Sequence, residues 1–209
     1  MKHLGVVILV LLLVPTVHAR EVGSPVWGVK AGMLGTTMYG DDSGLMKTRY
    51  GALFGVTVEY PLAQMVAVQG EIVYSMRGWK NDKDFGSVKV NQKIGYLEIP
   101  VLLRFNSPGG PPGPYLLLGP ALAIKTNDSF EVSLKGYTVE AEVFKPRSTE
   151  FLFMMGAGME FRGSGYTVFV EARGSGGLTP TYEDIELGAV TRKIDAQSQT
   201  VALVLGVCF

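Results

Sequence analysis

The chain has 209 residues, 47% of them hydrophobic, and balances 19 basic against 19 acidic side chains. That length suits one domain, and a net charge of zero leaves nothing to attract a nucleic acid. Its only histidines, His3 and His18, lie ahead of the expected mature start at Arg20, which removes Ser-His-Asp and Cys-His catalysis and the commonest zinc ligand from the mature protein.

Met1-Lys2-His3 is a short basic region, Leu4 to Val14 is an apolar run, and Val17-His18-Ala19 precedes Arg20 as a plausible cleavage site. The pattern is that of a secretory signal peptide over 1–19, leaving 20–209 as the mature domain. The apolar run is too short for a membrane helix and is broken by Pro15. No cysteine stands just after the cleavage point, so a lipoprotein anchor is not expected. The single cysteine, Cys208, has no internal partner for a disulfide.

Segments with alternating polarity then recur, as half-buried strands do. Val26–Leu34 sets Trp27, Val29, Ala31 and Met33 against Gly28, Lys30 and Gly32. Tyr50–Tyr60 sets Phe54, Val56 and Val58 against Gly55, Thr57 and Glu59. Met65–Trp79 opposes Val68, Ile72 and Met76 to Gln69, Glu71, Ser75 and Arg77. Ile94–Phe105 opposes Leu97, Ile99, Val101, Leu103 and Phe105 to Tyr96, Glu98 and Arg104. Tyr115–Lys125 is apolar on both faces, so its orientation stays open. Glu150–Arg162 carries Phe151, Phe153, Met155, Met159 and Phe161 opposite Gly156, Gly158, Glu160 and Arg162. Tyr166–Arg173 sets Val168, Val170 and Ala172 against Thr167, Phe169, Glu171 and Arg173. The last strand, Thr200–Phe209, places Val201, Leu203, Leu205, Val207 and Phe209 on one face and ends on the aromatic.

About eight strands is the smallest usual size of a transmembrane barrel. The connections alternate: long over 36–49, 80–93, 126–149 and 174–198, short over 61–64, 106–114 and 163–165. Short periplasmic turns and long outer loops produce that alternation. The bulky rows are free of charge, as lipid demands, and aromatics gather at the short-turn ends: Trp27, Tyr60, Phe105, Phe161, Tyr166 and Phe209. They read either as an interfacial girdle or as ordinary strand propensity. The expectation is an all-β fold, an antiparallel transmembrane β-barrel of the outer membrane. The alternative is a soluble periplasmic lipocalin-like barrel, whose apolar rows would face inward.

The residues also carry a resemblance. Gly28-Val29-Lys30-Ala31-Gly32, Tyr50-Gly51 through Tyr60-Pro61-Leu62, Glu71 to Gly78, Tyr96-Leu97-Glu98-Ile99-Pro100-Val101-Leu102-Leu103-Arg104, Tyr115 to Pro120 and Gly156 to Phe161 resemble, in this order, strands of the PorT-type outer membrane β-barrel family. The Tyr-Leu-Glu-Ile-Pro stretch is the most distinctive of them. The resemblance implies an integral outer-membrane barrel; some relatives are linked to protein secretion and gliding.

The inward rows bring together Lys30, Arg77, Arg104, Arg162 and Arg173 with Glu59, Glu71, Glu98, Glu160 and Glu171. Buried charges need partners, so these ten are expected to form a structural ion-pair network; the competing reading is an ion or proton path, or acid-base chemistry. Asp41-Asp42 and Glu183-Asp184-Ile185-Glu186 lack the spacing of a calcium loop and read as solvated loop charge. Pro108 to Pro114 reads as a stiff turn, with a polyproline docking strip as the alternative. No catalytic residue, cofactor or metal ligand is assigned, and the chain is read as a non-enzyme. Its expected partners are outer-membrane lipid, the barrel-assembly machinery that would read a C-terminal signal ending at Phe209, and an unknown protein met through the outer loops.

Overall fold

The computed structural model describes residues 22–39, 47–81, 88–108, 112–134, 137–140, 146–182, 185–187, 190–192 and 196–209. The expected signal peptide, Asp41, Asp42, Glu183 and Asp184 lie outside them. The strands are β1 (Val26–Tyr39), β2 (Lys47–Pro61), β3 (Val66–Asn81), β4 (Val88–Asn106), β5 (Gly113–Leu134), β6 (Tyr137–Glu140), β7 (Thr149–Arg162), β8 (Thr167–Gly177), β9 (Ile185–Leu187), β10 (Val190–Arg192) and β11 (Gln197–Cys208).

All pairings are antiparallel. The order β4-β3-β2-β1-β11-β8-β7-β5 returns on itself because β5 also pairs with β4, so eight strands close into a barrel. β6 extends the β5 edge, and β9 and β10 form a separate small hairpin. Closure leaves the barrel strands no open edge, the condition for crossing a bilayer with strands. The seam between the two chain ends, β1 on β11, runs in register from Gly28 opposite Cys208 to Tyr39 opposite Gln197.

The alternation seen in the sequence is the alternation of the wall. Outward rows are exposed and apolar, while inward rows are buried and hold the charge. On β4 the outward positions run from Phe105 through Leu103, Val101, Ile99 and Leu97 to Gly95, and the next outward residue is Lys93. On β7 the apolar run extends from Phe161 to Phe151 and stops at Thr149; on β11 it extends from Val201 through Val207 to Phe209 just past the strand, and stops at Gln199 on the other side. Each matches the 9–11 residues that a tilted strand needs to span the hydrocarbon. A lipocalin-like barrel would bury these rows and expose the charges; the arrangement here is the inverse. β5, ambiguous in sequence, is settled as well: Leu116 is 58% exposed and Leu117 3%.

Strands run further at the outer end than their hydrophobic period suggested. β4 begins at Val88 and β5 continues to Leu134. Beyond the membrane both faces of a strand meet water, so the period-2 signal fades although the backbone ladder continues, as in Lys93 opposite Ser129. The short turns are tight. Gly163 N–H donates to Tyr166 carbonyl at 2.8 Å, and Gly165 has φ of 98°, a left-handed conformation open to glycine. Of the proline-rich connection, Pro114 already pairs with Met159 in β5, and Ser107 N–H closes the turn onto Pro114 carbonyl at 3.0 Å. Residues 109–111 of that connection lie outside the described residues.

The short turns share one end with the start of β1 and the end of β11, which sets the periplasmic side. Cysteines introduced singly at Ser148 and Ser164, both exposed, should therefore differ. An impermeant maleimide on intact cells is expected to label Ser148→Cys and to miss Ser164→Cys. Cys208 is buried and should contribute little background. The opposite labelling would reverse the orientation.

Candidate functional site

The inward side chains meet across the lumen in three clusters. Nearest the periplasmic end, Arg104 from β4 pairs with Glu160 of β7, two strands along the wall, lies 3.5 Å from Glu59 of β2, two strands the other way, and donates to Gln69 Oε1 at 3.1 Å and to Asn106 Oδ1 at 2.9 Å. Its guanidinium lies 3.6 Å from the centre of the Tyr115 ring, a cation–π contact made stronger by exclusion of water.

Glu71 of β3 is the centre of the middle cluster. Lys30 Nζ of β1 is 2.5 Å from its Oε2, and Arg173 of β8 grips both oxygens, at 2.9 and 3.0 Å. This two-point geometry is what a planar guanidinium offers and an ammonium cannot. Arg173 also donates from Nε to Glu171 at 2.5 Å. Tyr115 donates to Glu171 at 3.0 Å, and Gln69 donates to Glu71 at 2.6 Å. Tyr115 and Gln69 thereby join this cluster to the first.

In the upper cluster Arg77 of β3 is 2.5 Å from Glu98 of β4, which also accepts from Ser75. Glu150, at the outer end of β7, accepts from Tyr96 and, at 3.0 Å, from Ser198 of β11. Above it, Tyr182 from the connection after β8 is buried. Its hydroxyl donates to Gln92 at 2.6 Å and accepts from the Trp79 indole at 2.7 Å. Arg147 Nε donates to Tyr182 carbonyl at 3.0 Å and Arg147 N–H to Thr181 carbonyl at 2.8 Å. Tyr182 thus ties two outer connections to the barrel mouth, and burial pushes its hydroxyl pKa up.

Nine of the ten charged residues singled out in the sequence enter these clusters. Arg162 does not. It is exposed at the last position of β7, where the strand leaves the barrel; it keeps the inward parity of Glu160 but lies past the rim. Glu150 was missed. Its signal was available: it shares the parity of Leu152, Met154 and Glu160, but it stands at the edge of the polar outer segment. The exchange changes the balance. Among the described buried charges, Lys30, Arg77, Arg104 and Arg173 face six carboxylates, those of Glu59, Glu71, Glu98, Glu150, Glu160 and Glu171.

One glycine makes this packing possible. A Cβ on Gly158 would lie 2.3 Å from Tyr115 Cζ, so β7 is bare where the Tyr115 ring lies flat against it. Gly158→Ala is expected to push Tyr115 away from Arg104 and Glu171 and to destabilise the barrel by about 1–3 kcal/mol, read as a lower urea midpoint. An unchanged midpoint would mean that the ring is free to move.

The arrangement holds cations and carboxylates in mutual contact, buried from solvent. Among the described residues no group of His, Cys, Asp and Glu side chains is placed to hold a metal.

No curated protein matches the chain. Among solved structures, Neisserial surface protein A is 13% identical with a TM-score of 0.45, over 88% of this chain and 97% of its own. Ail, the attachment invasion locus protein of Yersinia pestis, is 15% identical with a TM-score of 0.43, over 90% of this chain and 100% of its own. The N-terminal β-barrel domain of Pseudomonas aeruginosa OprF is 14% identical with a TM-score of 0.35, over 87% and 97%. Residues 24–183, most of the barrel, match the family described as outer membrane protein beta-barrel domain; with its closed eight-stranded wall and lipid-facing rows, the chain belongs to that family and resides in the bacterial outer membrane.

Proposed function

We propose that this barrel is a closed membrane anchor that presents its outer connections to a protein partner, and that it is neither a pore nor an enzyme. One observation carries the reading: the ion pairs cross the lumen. Arg173 to Glu71 joins β8 to β3 on the opposite wall, Arg104 bridges Glu59 of β2 and Glu160 of β7, again on opposite walls, and hydrogen bonds from Ser198 and Tyr96 meet on Glu150. An eight-stranded barrel has an interior just wide enough to be filled by side chains, and paired side chains occupy the space a water channel needs. Function is then left to the loops on a rigid scaffold.

The Tyr182 contacts support the same reading, because they hold two outer connections in one arrangement and so reduce the ordering cost of binding. The stretch Tyr96–Arg104 and the glycine-spaced strands favour a PorT-type member, and with it a role in secretion or surface assembly. The barrel-assembly machinery would insert the chain, and outer-membrane lipid surrounds it.

Two measurements on the full-length protein test this. In planar bilayers the purified barrel should give no stable, large single-channel steps. Crosslinking in intact cells should capture a specific neighbour, and shortening the connection after β8 should abolish the capture while heat-modifiability of the barrel persists. Steady conductance, or capture unaffected by loop shortening, refutes the proposal.

A further inference from the structure

Between the upper and middle clusters lies a cavity of about 20 Å³, bordered by Arg77, Glu98, Arg173, Ser175 and Thr200 and closed by apolar side chains such as Ala202. Arg77 is 2% exposed, yet its Nε and Nη1 atoms have no hydrogen-bond partner among the described residues. Nη1 lies 4.0 Å from Glu150 Oε2, beyond a direct hydrogen bond. Arg173, on the other side, is already engaged with Glu71 and Glu171.

We propose that this cavity is a binding site for one water molecule, which accepts from Arg77 and donates to Glu98 or to the hydroxyls of Ser175 and Thr200. Three arguments converge. The first is size: one water needs at least about 10–15 Å³, so the space admits a single molecule and no file of them. The second is chemistry. A buried water needs two to four polar partners; Arg77 supplies unused donors, while a carboxylate and two hydroxyls supply acceptors. Nη2 is held by Glu98, but two buried N–H groups left without an acceptor are costly at this depth, and a neutral ligand relieves them at no cost in charge.

The third argument is the sign of the lumen. Among the described residues four buried cations already face six buried carboxylates. A halide in the cavity would add a seventh negative charge beside Glu98, whereas water adds none. The water joins the Arg77–Glu98 pair, on β3 and β4, to β8 and β11 on the far wall. It thus links the upper cluster to the Arg173 side of the lumen.

Two measurements on the folded full-length barrel test the site. A high-resolution crystal structure grown with bromide should show one water within hydrogen-bond distance of Arg77 Nε or Nη1 and no anomalous bromide peak there. A bromide peak, or Arg77 turned fully onto Glu150 with no density in the cavity, overturns the proposal. In solution, the Arg77 Nε–H resonance should show a cross-peak to a long-lived water. Ala202→Val, which fills the cavity from its apolar side, should remove that cross-peak while heat-modifiability is kept. If the cross-peak survives in folded Ala202→Val, the water lies elsewhere and the site is wrong; if that variant does not fold, the wild-type crystal alone decides.

Discussion

Replacing Arg104 with leucine is expected to destabilise the barrel by about 3–5 kcal/mol, the range for breaking a buried ion pair by removing one partner. The size follows from what is left behind. Glu160 and Glu59 lose the cation between them, Gln69 and Asn106 each lose a donor, and the Tyr115 ring loses the guanidinium at its face. The stranded carboxylates are 2–4% exposed at the side chain and have little access to bulk water. The measurement is urea unfolding in detergent or vesicles, followed by heat-modifiability. Two companions make it decisive. Arg162→Leu, at an exposed position of the same residue type, should leave the midpoint nearly unchanged. Arg104→Leu combined with Glu160→Leu should recover part of the loss, because an apolar pair does not strand a charge. If Arg104→Leu behaves like Arg162→Leu, the lumen charges are solvated and the closed-anchor reading falls with them.

That contrast also marks how far the sequence could be read. Parity along a strand is a local property: a charge-free row opposite a charged row is visible in ten residues, and it placed Glu71, Glu98 and Arg173 inside. Where a strand stops being in the membrane is not local. Arg162 and Glu150 both continue the inward parity of β7, one at each end. Only the closed barrel shows that Arg162 lies beyond the periplasmic rim while Glu150 remains under the outer connections. The orientation of β5 was hidden for a related reason. Its inward face carries Tyr115 and Leu117 rather than charge, so no polar row betrayed it.

The choice of partners was out of reach altogether. Glu71 takes Lys30 from β1 and Arg173 from β8, and which levels meet across the lumen depends on the stagger of the closed sheet. Tyr182 is the extreme case. It lies 103 positions from Trp79, in a connection with no periodicity, and nothing near it in sequence announces a buried residue at the barrel mouth. The Gly158–Tyr115 contact is intermediate. A glycine in a strand hints at a close approach, but not at which ring comes near.

The closing position of the β11–β1 seam, Phe209, should be the most sensitive point for assembly. Phe209 N–H donates to Trp27 carbonyl at 2.8 Å, and Trp27 N–H donates to Phe209 carbonyl at 3.2 Å, so the last residue completes the ladder that joins β11 to β1. Its side chain follows Leu203, Leu205 and Val207 on the outward face, at the level where an aromatic ring is stable between headgroups and hydrocarbon. Phe209→Asp keeps the backbone bonds but puts a charge at that boundary, and removal of Phe209 deletes both bonds and the ring. Either change is expected to reduce the heat-modifiable, membrane-inserted form several-fold. Cys208→Ser changes the neighbouring position, which points inward and packs where a Cβ on Gly28 would be only 2.7 Å from its sulfur. It alters no outward surface and no backbone bond, and should assemble nearly as well as the wild type. Pulse-chase followed by semi-native electrophoresis separates the outcomes. A large defect in Phe209→Asp beside a small one in Cys208→Ser fits recognition of the terminal aromatic by the assembly machinery. Equal behaviour of the two would show that the seam, once its backbone is paired, does not depend on which ring ends it.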